Sequence, residues 1–138
     1  MSTPVFENFK EIWLVDFEFG SKPGGLPEPV CMVAREFKSK REIFLWKDEL
    51  QSSGRPPYPL GEDSLFVAYY ASAEFGCHLS LGWPLPTRIL DLYAEFRRIT
   101  NGQILPHGNG LLGALKYFGL VSMENSEKEN MRDLLATN

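Results

Sequence analysis

Apolar and polar positions alternate most clearly in the first half of the chain. Residues 11–20 read Glu-Ile-Trp-Leu-Val-Asp-Phe-Glu-Phe-Gly. Their β-branched and aromatic side chains predict a strand over 12–19, buried in a sheet and stopped by Gly20. A loop rich in proline and glycine follows over 21–29, and Pro29 leads into a second strand over 30–37. Lys38-Ser39-Lys40-Arg41 is a polar turn before a third strand over 42–46. Strand, loop, strand, short turn and strand predict an antiparallel meander. Residues 51–63 carry Gly54, Pro56, Pro57, Pro59 and Gly61 and predict a crossing loop.

The pattern then changes period. Residues 64–70 are apolar enough for a fourth strand buried on both faces. Ser72 is placed to cap a helix over 73–81, on which Glu74 and His78 share a face. A short fifth strand is predicted over 89–92. It runs into a helix over 93–100, with Tyr93 and Phe96 inward and Arg97 and Arg98 outward, closed by Asn101-Gly102. Leu111, Leu115 and Phe118 fall at helical spacing over 111–120, and Ser126 opens a capping box before a last helix over 127–137. This order predicts an α/β fold with an antiparallel half.

The chain has 138 residues, 43% hydrophobic and 23% charged, which suits a single domain over 1–138 with a real core. No apolar stretch approaches the roughly 18 residues of a membrane span, and the N-terminus has no signal-peptide pattern. Cys31 and Cys77 are too few and too isolated for a disulfide framework, so buried free thiols and a reducing cytoplasm are expected. The net charge of −4 argues against a nucleic-acid binder that relies on its own basic face. It leaves room for an enzyme that meets nucleic acid through metal ions, whose charge is not in the count.

Candidate chemistry starts in the first strand. Alternation puts Asp16 and Glu18 on one face, about 7 Å apart, and turns Phe17 into the core. Two carboxylates so placed repel each other and cost desolvation energy, which a hard divalent cation would relieve. A strand end that simply emerges into water is the other reading. His78, on a largely apolar helix, reads as a satisfied core histidine rather than a ligand.

An Asp-x-Glu on strand one of a three-strand opening resembles the ribonuclease-H-like DEDD exonuclease superfamily. The strand–helix unit over 67–86 with its acid and the later Leu-x-x-Leu-x-x-x-Phe-Gly-Leu helix extend the likeness. The chain looks like the 3′–5′ proofreading exonuclease domain attached to family A DNA polymerases. The resemblance implies a mixed ribonuclease-H-like sheet in which Asp16 and Glu18 hold the catalytic metals. Glu74 stands at the second-motif acid, although the Asn that usually precedes it is replaced: position 70 is Tyr70 and position 72 is Ser72. Asp91 resembles an acid that follows the second motif and supports the site from behind. The family's third motif, a Tyr or His followed by an Asp, has no match after Leu120. The expectation is that it lies beyond Asn138 and that the domain is C-terminally incomplete; Asp133 as a substitute ligand is the minor alternative.

The implied cofactors are two Mg or Mn ions about 3.5–4 Å apart that clamp the scissile phosphate. Asp16 would bridge them, Glu18 would hold the ion that activates water, and Glu74 would serve the second ion. Phe19 would support the terminal base of a single-stranded DNA 3′ end by stacking. A polymerase domain in a longer parent is the implied partner, and no membrane is. The incomplete motif set also implies weak metal binding and slow turnover. A non-catalytic ribonuclease-H-like module, structural or nucleic-acid-docking, is the second hypothesis.

Overall fold

The computed structural model describes residues 4–21 and 23–120. A five-stranded mixed sheet runs in the order β3-β2-β1-β4-β5. Its strands are β1 (Glu11–Gly20), β2 (Glu28–Glu36), β3 (Glu42–Trp46), β4 (Ser64–Ala68) and β5 (Ile89–Asp91). Helices α1 (Pro4–Glu7), α2 (Lys47–Ser52), α3 (Ala71–Leu81), α4 (Leu92–Ile99) and α5 (Leu111–Tyr117) complete the described elements. The β1–β2 and β2–β3 pairs are antiparallel, as the meander required, while β1–β4 and β4–β5 are parallel. The predicted α/β class with an antiparallel half is the observed one.

β1 lies at the centre of the sheet, where antiparallel pairing gives way to parallel. Its odd positions Trp13, Val15 and Phe17 enter the main core, which α3 and α2 cover with Cys77 and Leu50. Its even positions Leu14 and Asp16 are exposed. β4 is buried along its whole length, as its unbroken apolar run predicted. Cys31 and Cys77 are both buried free thiols.

Helix α2 was not anticipated. Its sequence is short and polar, so only Leu50, fully buried, carries a packing signal. The Glu49 carboxylate accepts the Trp46 N–H at 3.2 Å and fixes the turn from β3 into α2. The start of α3 also differs. Ser72 sits exposed in the first turn rather than at the cap. Tyr70 takes the cap position with a left-handed backbone, φ 69 and ψ 67.

Leu111, Leu115 and Phe118 face α4 across an apolar cavity of about 280 Å³ also lined by Leu92, Phe96 and Ile99. α5 is seated by Gly113: a Cβ there would lie 2.4 Å from the Gly108 carbonyl oxygen and 2.5 Å from that of His107. Among the described residues no helix is long and apolar enough to cross a membrane. The last helix predicted over 127–137, and Asp133 on it, lie outside the described residues.

Candidate active site

The site forms where β1 outruns its neighbour. Pairing with β4 ends at Leu14↔Val67, while pairing with β2 continues to Gly20. Helix α3 begins beside this overhang and places Glu74 in its first turn. The Glu74 side chain is buried, and its carboxyl accepts the backbone N–H of Phe17. Its Oε2 has no hydrogen-bond partner among the described residues. A carboxyl thus stands where β4 would otherwise have continued the ladder.

Asp16, Glu18 and Glu74 line one cleft of about 510 Å³. The parity expected of β1 therefore delivers both of its acids to this cleft, and the helix brings the third. Burial, first, and then the negative charges of Asp16 and Glu18 push the Glu74 carboxyl up to about 9, against a smaller downward pull from the Phe17 N–H. At neutral pH Glu74 is therefore a protonated, uncharged acid. Among the described residues no three His, Cys, Asp or Glu side chains converge into a ready-made metal cage. The chemistry of the donors nonetheless suits a hard cation: they are carboxylates, and one holds a buried oxygen without a partner.

Asp91 stands behind the cleft rather than in it. Its Oδ1 accepts the N–H of Tyr93 at 3.0 Å, capping α4, and the N–H of Tyr70 at 3.0 Å. One oxygen therefore joins the start of α4 to the strained residue that opens α3, and through it positions the turn bearing Glu74. Phe19 lines the cleft and also packs against the main core, following a register shift between Glu18 and Phe19.

Three tyrosines escaped sequence reasoning. Tyr69, Tyr70 and Tyr93 all line the cleft, and the Tyr93 ring meets both others edge-on, at 5.8 and 5.1 Å. The Tyr-Tyr pair at a strand end was the available signal, hidden because it reads as more strand. His78, one turn beyond Glu74, is fully buried and fully bonded. Its Nδ1 contacts the Pro84 carbonyl at 2.8 Å, and Tyr58 Oη lies 2.6 Å from Nε2. The carbonyl assigns the proton to Nδ1, so Nε2 accepts from Tyr58. Desolvation lowers its pKa and keeps it neutral. Gly76, two residues after Glu74, lets α3 pack closely: a Cβ there would lie 2.9 Å from Pro27 Cγ.

With this geometry in place, comparison with solved structures has a clear result. The chain is similar to RNase D of Escherichia coli, an exoribonuclease involved in structured RNA processing, with a TM-score of 0.55 at 17% identity. The fold is ribonuclease-H-like. The match covers 85% of this chain but 30% of the RNase D chain. It shows the fold alone and does not single out the polymerase-attached proofreading branch. No family model and no curated protein matches the sequence.

Proposed function

We propose that this chain is a metal-dependent 3′–5′ exonuclease domain acting on single-stranded 3′ ends, with DNA as substrate in a polymerase-linked, cytoplasmic parent. The observation that carries the reading is the convergence of Asp16, Glu18 and Glu74 on one cleft, with a buried Glu74 oxygen left without a partner. Folding gains nothing from this arrangement, since a buried carboxyl without full hydrogen bonding costs stability.

Asp16 and Glu18 would hold two Mg or Mn ions from β1, and Glu74 would join them from α3. Bound there, the ions supply a water of lowered pKa and neutralise the charge that develops on the phosphate. The residues of the chain do the rest. Glu74 would release its proton to water in order to serve as a ligand. Asp91 holds the turn that aims it. Phe19 and the tyrosine set offer aromatic faces to the terminal base.

Manganese titration by calorimetry tests the reading, on the wild-type chain and on Asp16→Ala, alongside hydrolysis of 5′-labelled single-stranded DNA and RNA. Binding in the wild type alone, with stepwise shortening from the 3′ end, is the expected result. Preference for RNA would correct the substrate and keep the reaction. The competing reading, a non-catalytic docking module, draws on the lack of a closed metal cage among the described residues. It gains if neither protein binds manganese.

A further inference from the structure

A second cleft, of about 740 Å³, lies at the C-terminal end of α4 and the loop after it. Arg97, Arg98, Asn101, Gln103 and Asn109 are among the residues lining it, and no acid is. The two clefts have no lining residue in common, but residues that line one contact or adjoin residues that line the other. Tyr93 lines the carboxylate cleft, while Arg97, which lines the second, donates to the Tyr93 hydroxyl at 3.0 Å and lies 5.8 Å from its ring centroid. On the loop side, Asn109 lines the second cleft and its neighbour Gly110 lines the first. The Tyr69 hydroxyl holds this loop by donating to the Asn109 carbonyl.

Arg97 donates to the Tyr93 hydroxyl rather than to a carboxylate. Arg98 pairs with Glu95 at 2.9 Å on an exposed helix face, where such a pair is worth little and is readily exchanged for a phosphate. Two adjacent guanidinium groups at the end of α4, in a chain of net charge −4, line a polar cleft that neighbours the carboxylate cleft through the Arg97–Tyr93 contact.

We infer that this second cleft binds the phosphodiester backbone of the same strand, a few nucleotides upstream of the 3′ end, with Arg97 and Arg98 as the phosphate-binding residues. The inference rests on the exonuclease reading of the first cleft. It gives that site a polarity: the 3′ terminus at Asp16, Glu18 and Glu74, and the incoming strand crossing Tyr93 to the arginines.

The test is fluorescence anisotropy with labelled single-stranded oligonucleotides of two and eight nucleotides, as DNA and as RNA, in EDTA so that no bond is cut. Wild type is compared with Arg97→Ala/Arg98→Ala and with Arg97→Lys. The double variant is expected to lose about tenfold in affinity for the eight-nucleotide strand, and its salt dependence to fall by about 1.4 in slope, the value for two phosphate contacts on single strands. Arg97→Lys keeps the charge and is expected to retain most of the affinity. Dinucleotide binding is expected to change far less. An equal loss on both lengths, or an unchanged salt slope, overturns the proposal. DNA and RNA arms that respond alike support a backbone contact, and a loss confined to one overturns it. Manganese titration of the same variants separates the two readings. Metal binding lost in the wild type fails the exonuclease proposal, whereas the arginine effect is read without any metal.

Discussion

Glu36 and Glu74 are equally hidden from the surface, each 3% exposed, at opposite ends of β1. Burial would raise both carboxyls. At Glu36 it is outweighed by the N–H groups of Ile12 at 2.8 Å, Ser39 at 2.7 Å and Lys38 at 3.1 Å, which hold the group at about 2. At Glu74 desolvation comes first, one N–H donor then faces two neighbouring carboxylates, and the group stands at about 9. Surface exposure alone does not separate a structural acid from a candidate site. Depth of burial together with the balance of donors against like charges does. Glu36 locks the turn after β2 to the start of β1, whereas Glu74 keeps a buried oxygen that meets no hydrogen-bond partner among the described residues.

The largest expected effect comes from breaking the satisfied partner. Glu36→Ala orphans three backbone donors and is expected to cost about 3 kcal/mol, seen as a drop in the urea midpoint, with manganese binding retained by the folded fraction. Glu74→Gln sharpens the contrast by moving stability the other way. The amide can still accept from Phe17 and carries no charge, so the metal-free protein is expected to gain about 1–2 kcal/mol at pH 8. Manganese affinity should fall at least about tenfold. A destabilised Glu74→Gln protein would place Glu74 with Glu36.

The two acids also give opposite pH dependences. Glu36, depressed to about 2 from 4.5, stabilises fully above pH 4.5, and its contribution is lost as pH falls from there through about 2. Glu74, raised from 4.5 to about 9, favours the fold most below pH 4.5, and stability is lost as pH rises through about 9. Denaturant melts between pH 5 and 9 should slope downward in the wild type and lie flatter in Glu74→Gln. Asp91→Ala removes a cap and the brace on Tyr70, for about 1 kcal/mol, with a smaller loss of manganese affinity. Tyr58→Phe, which strips His78 of a partner, is expected to cost about 1 kcal/mol or less and to leave manganese binding unchanged.

The strands were legible because their period and residue types agree: β3 was expected at its observed bounds, and the Asp16/Phe17/Glu18 alternation gave the faces correctly. Tyr69 and Tyr70 extended the apolar run of β4 past its end, because no side-chain pattern announces a left-handed residue that is not glycine. Asp91 holds that residue from 21 positions away, a tertiary contact invisible to local reading. The same holds for Glu74: its place in the sequence suggested an acid, but only the end of β4 pairing explains why it points at β1. Glu36 was missed altogether, since its role lies in backbone N–H groups that every residue possesses.

The hydrogen bond from the Phe17 N–H to Glu74 has a practical use. A neutral acid and an ionised carboxylate shield an amide proton differently, and a carboxylate drawn away to a cation releases it. The Phe17 backbone resonance in a nitrogen–proton correlation spectrum is therefore an internal indicator. One cross-peak, followed through a pH titration and then through a magnesium titration, would register the ionisation state of the cleft without any substrate, label or assay.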